Sequence, residues 1–549
     1  MTESARDPAA AEEFDRLERS VIDHLFVLQP GYAVFLGLHE YDGRMPDFSS
    51  SATERWLAEA DRLHGRLSGG TPEGLPTGRR LDRTLLELLL ESPVFDLREA
   101  RGLDQNPMSF LGSISLTAYL VREYAPVPAR VSAIVETLRA VPALLDAGRR
   151  RLEAHLPRPF LEIALSMGNG LPRHFDEAEE FAGRASASLR RHVAEARSGA
   201  EAAVTEFLGR IRDDWMPKAN DDFALGPERY QRLLWVREGL RTPFAEILEE
   251  GRRDLARNRA RFEEIARSST PPATAEVLLE GIYRDHPSAP ELVPTAQRYV
   301  GEVRQFVVDR QLVSIPVPDR CRVEETPTYG RAMSTASMNP PGPFDVGGEE
   351  GIYFVTPVDA AWSTERQEEW LRSLNRPMLR NITVHEVYPG HYLQFLHHRR
   401  AAATLARKVF ISSAFTEGWA HYCEQLAIEA GLGAGSPAAE VAQLHDALLR
   451  DCRLVVSVGL HTGGMSLEEG TRIFQSEGLL ERLPAAREAI RGTITPEYFC
   501  YTLGKLAILR ARDRHLGPTF SGSLRGFHDR LLSFGGPPVG LLDELFRAG

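Results

Sequence analysis

Apolar residues recur at helical spacing through most of the first 312 residues of this 549-residue chain. The pattern predicts helices over 11–28, 80–91, 129–154, 177–211 and 243–267. A second helical stretch begins at Thr364 and predicts helices over 377–388, 391–407, 413–431, 436–458, 466–477 and 495–512. We therefore expect a mostly α fold in which a helical N-terminal lobe, 1–312, and a second helical lobe, 363–549, form one integrated unit.

The segment that joins the two lobes, 313–362, has a different composition. It is rich in Pro, Gly and Thr, and its pieces RCRVEET (320–326) and GIYFVTP (351–357) predict short strands. A small β element should therefore precede the second lobe. Its strands could bind an extended peptide along an exposed edge, or they could serve as a structural hairpin, and the sequence favours neither.

Charge and composition exclude some classes of partner. The net charge is −12 and no basic block occurs, so we expect no nucleic acid partner. No apolar run reaches the roughly 18 residues of a membrane span, and the first 20 residues do not resemble a signal peptide. The four cysteines form no CxxC pair, which is typical of reduced thiols. These features predict a cytoplasmic protein without a membrane partner.

The strongest functional signal is the segment HEVYPGH, in which His385 and His391 lie six residues apart. Six residues of ideal helix would turn the second histidine about 240° away from the first, so one regular helix could not present both to one ion. Pro389 cannot continue the helical hydrogen bonding, and Gly390 allows an unusual backbone conformation. We therefore expect a break at Pro389-Gly390 that brings His391 back to His385, as metal ligands.

A third ligand should come from the segment EGWAHYCE, which carries Glu417, His421 and Glu424 on one helical face. We favour Glu417 as the ligand, with Glu424 or His421 orienting an imidazole from behind. Two histidines and a carboxylate suit Zn²⁺, and Mn²⁺, Co²⁺ and Fe²⁺ remain alternatives. Glu386 is the expected general base.

HEVYPGHYLQ and EGWAHYCEQL resemble the hallmark motifs of the bacterial domain-of-unknown-function family numbered 885. The resemblance extends over nearly the whole chain and includes LGLHEYDGRMPDFS, ETPTYGRAMSTASMNPPGPFD and YTLGKLAILRAR. It implies a two-lobed, helical, zincin-like fold similar to oligopeptidases and carboxypeptidases. It also implies His385, His391 and Glu417 as ligands and Glu386 as base. His421 stands where that family more often has an apolar residue.

Polar residues downstream could complete an active site. We expect Tyr501 and His461 to stabilise an oxyanion. Arg453 or Lys505 could bind a substrate carboxylate, and Tyr498 could also line the substrate site. The alternatives are a surface ion pair for Arg453 and core packing for Tyr501. Two further histidines of the metal-binding region are expected on the surface, namely His397 and His398.

Together these residues predict a zinc-dependent hydrolase that cleaves a peptide or other amide bond with metal-activated water. A second hypothesis keeps the metal but assigns a small non-peptide substrate of specialised metabolism, with amide hydrolysis, other C–N cleavage or a rearrangement. A third is a non-catalytic binding protein on a peptidase-like scaffold. The sequence leaves exo- or endo-cleavage and the oligomeric state open.

Overall fold

A computed structural model describes residues 8–69, 77–331, 334–346, 349–401, 403–517 and 523–548. The first part of the chain is helical, with α1 Pro8–Leu28, α2 Pro30–Leu36, α3 Ser50–Ser68, α4 Thr77–Arg98, α5 Gly102–Gln105, α6 Met108–Leu111, α7 Thr117–Val121, α8 Val127–Arg151, α9 Arg158–Ala185, α10 Ala187–Arg210, α11 Pro227–Glu238, α12 Phe244–Ser268, α13 Ala275–Tyr283 and α14 Leu292–Asp309.

Three strands follow, β1 Arg320–Glu325, β2 Ala336–Asn339 and β3 Glu350–Val355. The remainder is again helical, with α15 Thr364–Ser373, α16 Arg376–Glu386, α17 His391–Arg400, α18 Leu405–Val409, α19 Ser413–Glu429, α20 Pro437–Thr462, α21 Leu467–Ser476, α22 Arg482–Ile494, α23 Cys500–Leu516, α24 Leu524–Leu532 and α25 Leu542–Ala548. The prediction of a mostly α fold is confirmed. Within the described ranges, no helix is long and apolar enough to cross a membrane.

The small sheet has the strand order β1-β3-β2. β1 runs parallel to β3, with Arg320 opposite Glu350, and β2 runs antiparallel to it, with Asn339 opposite Ile352. The two predicted strands are therefore confirmed as β1 and β3. β2 was missed because its four residues, ASMN, form a short segment without β-branched or aromatic residues. The sheet packs against the helix α16 and so lies beside the segment that carries His385.

Buried apolar side chains form two large cores. One lies among the helices α1 to α10 and includes α18, and the other joins α11–α14 to the sheet and to α16, α17 and α19–α25. The packing thus groups α11–α14 with the helices that carry the predicted ligands, although these helices precede residue 312. The lobe boundary at 312 stays a prediction.

Candidate metal centre

The predicted break between the two histidines is present. The helix α16 ends at Glu386, and α17 begins at His391. In the turn between them, the Gly390 N–H donates to the Val384 carbonyl oxygen at 3.1 Å. A Cβ on Gly390 would lie 1.8 Å from the His385 carbonyl oxygen, so no larger residue fits this turn. The two imidazole rings therefore meet, with centroids 4.7 Å apart.

Trp419 holds this turn in place. Its buried indole Nε1 donates to the Pro389 carbonyl oxygen at 2.9 Å. Trp419 belongs to α19, two residues after Glu417, so one hydrogen bond ties the histidine turn to the helix with the third predicted ligand. Sequence reasoning did not identify this bond.

The position of α19 is set by its contact with α23. Gly418 and Gly504 face each other there, and a Cβ on Gly418 would lie 2.4 Å from the Gly504 Cα. The two backbones therefore touch, which side chains at these positions would prevent. At the N-terminus of α19, the Glu238 carboxylate accepts hydrogen bonds from the Ser412 hydroxyl and, at 2.9 Å, from the Ala414 N–H.

The three predicted ligands converge. One Glu417 carboxylate oxygen, Oε2, lies 3.4 Å from His385 Nε2 and 3.5 Å from His391 Nε2. The three ligand atoms all lie within 4.8 Å of one another. Tetrahedral zinc with bonds of about 2.1 Å places its ligand atoms about 3.4 Å apart. Two of the three spacings match this value and the third is at most 4.8 Å, so this donor set can hold a zinc ion.

The electrostatics of this cluster favour a bound cation. Burial lowers the pKa of His385, but hydrogen bonds to Glu417 and Glu424 raise it to about 9. Burial raises the pKa of Glu417, and the charges of both imidazoles outweigh that effect and leave it well below the usual value. The carboxylates thus attract positive charge to this point, which protons or a metal ion can supply.

Glu424 orients the first histidine as predicted. Its buried carboxylate accepts the His385 Nδ1–H at 2.6 Å, which leaves Nε2 directed at Glu417. Three other groups contact the same carboxylate: Arg450 at 2.9 Å, Asn381 at 3.2 Å and His421 at 3.4 Å. Arg450 and Asn381 were missed by sequence reasoning. The bound carboxylate fixes the tautomer and orientation of the imidazole.

Glu386 is placed to act as a base. Its side chain is half-buried beside His385, and within the described parts of the chain its carboxylate has no hydrogen bond or ion pair. Burial raises the pKa of Glu386, whereas the two imidazoles lower it and Glu417 raises it. The carboxylate is therefore open to a water molecule and is more basic than a surface glutamate.

Tyr501 lies close to the ligand cluster. Burial and then the charge of Glu417 raise the pKa of its hydroxyl, so the phenol stays protonated. The guanidinium groups of Arg450 and Arg453 lie 5.6 and 5.3 Å from its ring centroid. A protonated phenol in this position can donate a hydrogen bond, as an oxyanion donor must.

Arg453 lies against the rings of both Tyr501 and Tyr498. Arg453 makes a forked pair with Glu488, at 2.8 and 2.9 Å, so its charge is already compensated. Its guanidinium lies 5.0 Å from the ring centroid of Tyr498, which is 2% exposed. The alternative role of Arg453 in an ion pair is thus the one observed, although the pair is half-buried and not fully on the surface.

Lys505 does not reach the substrate side, contrary to the prediction. Its side chain is fully buried, and its Nζ lies 2.6 Å from Asp254 Oδ2. Lys505 follows Tyr501 by one helical turn, but its side chain enters the interface of α23 with α12. Lys505 is therefore not available to bind a substrate carboxylate.

His461 is also misassigned. Its Nε2 hydrogen-bonds the Gly492 carbonyl at 3.0 Å, and its Nδ1 accepts the Leu225 N–H at 3.4 Å. Both nitrogens are therefore used, and the residue lies about 16 Å along α20 from Arg450, by helical rise. His461 joins helices and does not face the ligand cluster.

The predicted exposure of two other histidines is wrong as well. His398 is 3% exposed, because α18, which begins at Leu405, packs against it. Its Nε2 lies 3.0 Å from the Arg407 carbonyl oxygen. The neighbouring His397 is half-buried, with Nε2 at 2.7 Å from the Ser314 carbonyl oxygen.

We expect His461→Gln to lower the free energy of unfolding at neutral pH, because His461 joins three segments of the chain. Burial lowers the pKa of His461 to about 4, below the usual value of about 6.5. The neutral imidazole therefore stabilises the fold above pH 6.5, and this contribution is lost as the pH falls towards 4. The stability difference between wild type and variant should shrink by about 1.4 kcal/mol from pH 7.5 to 5.5. Denaturant unfolding at both pH values measures it, and a difference that grows on acidification would contradict the assignment.

Comparison with known proteins places the chain in a family. The profile of a family described as bacterial proteins of unknown function, DUF885, matches residues 30–545. A candidate lipoprotein of unknown function from Shewanella oneidensis is 22% identical, with a TM-score of 0.79 over 97% of this chain and 99% of that chain. A candidate lipoprotein from Colwellia psychrerythraea is 17% identical, with a TM-score of 0.78 over 98% of both chains. At these identities the likeness shows the fold, and no curated protein matches. Because the profile covers nearly the whole sequence, the chain belongs to the bacterial family of unknown function DUF885.

Proposed function

We propose that this protein is a zinc-dependent hydrolase of peptide or other amide bonds. The observation that carries the proposal is the spacing of His385 Nε2, His391 Nε2 and Glu417 Oε2, which fits three ligands of a tetrahedral zinc ion. Glu386 lies beside this cluster, and within the described residues its carboxylate makes no hydrogen bond or ion pair. Three ligands and an adjacent base are what hydrolytic zinc sites require, since a structural site would use four protein ligands.

In this proposal, a zinc ion held by the three ligands would supply Lewis acidity and lower the pKa of water. Glu386 takes a proton from the attacking water and delivers it to the leaving nitrogen. The Tyr501 hydroxyl donates to the carbonyl oxygen as negative charge develops there. Glu424 and Arg450 keep the His385 imidazole oriented throughout.

Metal analysis of the purified protein tests the site directly. We expect about one zinc per chain, and loss of most of it in His391→Ala, because two ligands bind zinc far more weakly than three. His397→Ala is the matched control, since His397 lies on the same helix and its Nε2 hydrogen-bonds the Ser314 carbonyl, away from the three ligands. A protein that takes up no zinc, or a His391→Ala variant that keeps it, would contradict the proposal.

The proposed role of Tyr501 has its own test. Tyr501→Phe should lower kcat by about a hundredfold, because it removes one donor to the developing oxyanion. Zinc content and KM should change little, since the hydroxyl is not a ligand. Steady-state kinetics on an amide substrate, beside metal analysis, separate these effects. Normal kcat in the variant would leave Tyr501 with core packing only.

The location in the cytoplasm stays a proposal. It is consistent with four free cysteines, three of them buried. Fractionation of the native cells, with detection of the protein in each fraction, tests it, and recovery in the membrane fraction would contradict it.

A further inference from the structure

A large cavity lies between the two cores and outside the ligand cluster. Its volume is about 740 Å³, which is within the range of small-molecule sites. One wall comes from α4 and the short helices α5 and α6, and the other from α11 and the ends of α20 and α22. Much of its lining is apolar, including Phe95, Leu97, Leu103, Phe160 and Leu233.

One end of this cavity carries Arg237 with two carboxylates, Asp96 and Glu497, and we call these three side chains the acidic group. Arg237 binds Asp96 Oδ1 at 2.7 Å and Glu497 Oε1 at 2.6 Å, so one cation serves two carboxylates and the net charge is −1. Among the described residues, the second oxygen of each carboxylate has no hydrogen bond. Asp96 is 41% exposed, and both carboxylates line the cavity. The open oxygens are therefore available to a ligand.

The same three side chains border a second cavity, of about 320 Å³, on their other side. Ser413 lines this second cavity, and it lies four residues before Glu417 on α19. Residues four apart on a helix are neighbours about 6 Å apart on one face. The acidic group thus lies between the large apolar cavity and the helix turn that carries the proposed ligand Glu417.

The acidic group is also linked to Tyr501 by the chain itself. Glu497 lies in the single helical turn that leads into α23, four residues before Tyr501. The mouth of the large cavity adds the exposed Asp221 and Asp222 and one exposed cation, Arg229. Anionic ligands would be repelled at both ends of this cavity.

We propose that these cavities bind the substrate and that the substrate is an amphipathic cation. Its amine or guanidinium would lie between Asp96 and Glu497, and its apolar body would fill the large cavity. That the bound molecule is a substrate rests on the proposed hydrolase function. That the cavities bind an amphipathic cation does not depend on it, because neither carboxylate belongs to the ligand cluster.

The test compares two probes of nearly equal shape, 4-phenylbutylamine and the neutral 4-phenylbutan-1-ol, by titration calorimetry at pH 7. We expect the amine to bind at least about tenfold more tightly, because one charge-assisted hydrogen bond is worth that much. Asp96→Asn and Glu497→Gln should each reduce this preference several-fold and leave alcohol binding unchanged. Ala100→Phe, which fills the cavity without a change of charge, should weaken both probes. Circular dichroism establishes that each variant is folded.

Equal binding of amine and alcohol would overturn the cation preference, and no binding of either would overturn the site. The titrations are repeated on Glu386→Gln, which retains the cavities. Amine binding there, without cleavage of any cationic amide by the wild type, would support the binding site and contradict the proposed hydrolase. Cleavage of neutral amides, with no preference for cationic ones and no amine binding, would support the hydrolase and overturn this inference.

Discussion

Glu386→Gln should lower the turnover of an amide substrate by about 10²–10⁴-fold, the usual contribution of a general base. Glutamine has nearly the same shape, but its amide cannot accept the proton of the attacking water. The effect should be confined to turnover, because within the described structure the Glu386 carboxylate makes no hydrogen bond or ion pair that supports the fold. The change should therefore appear in kcat, with little effect on folding.

Metal analysis must accompany these kinetics. Glu386 is not among the three converging ligands, so Glu386→Gln should keep the same zinc content as the wild type. Glu249→Gln, an exposed glutamate on α12, is the matched control and should keep full turnover. Undiminished turnover in Glu386→Gln would assign the base to another residue. Loss of zinc in that variant would show that the carboxylate supports the ion.

The ligand cluster could be predicted because its signal is local. His385, Pro389, Gly390 and His391 lie within seven residues, and the steric rules for Pro and Gly already require a chain break there. In the structure the chain turns back at this break. The turn is possible because Gly390 can approach the His385 carbonyl closely. Glu417 was one of three candidates on one helical face, and the resemblance to the family motif implied it as the ligand.

The residues that the sequence missed or misplaced depend on contacts between distant segments. Arg450 lies 26 residues after Glu424, and no local pattern marks it as the partner of that carboxylate. Tyr501 and Lys505 share a helical face, but only tertiary packing decides that one borders Glu417 and the other pairs with Asp254. Helical periodicity gives the direction in which a side chain points from the helix axis, but it does not identify the residue that this side chain contacts.

Gly504→Ala should destabilise the fold by about 3 kcal/mol or more and reduce zinc binding. A Cβ on Gly504 would lie 1.8 Å from the Ala414 carbonyl oxygen and 2.7 Å from the Gly418 Cα. Both are backbone atoms, so no side chain can rotate away to relieve the overlap. The helix α19 must therefore move away from α23, and Glu417, next to Gly418, must move with it.

The matched control is Gly301→Ala. Gly301 lies on the exposed face of α14, and a Cβ there meets nothing within 4 Å. Alanine should stabilise that helix by about 1 kcal/mol, because glycine is a weaker helix former. Denaturant unfolding gives the free energy for each variant, and metal analysis gives its zinc content. If Gly504→Ala were as stable as Gly301→Ala and kept its zinc, the backbone contact of α19 with α23 would not be what positions Glu417.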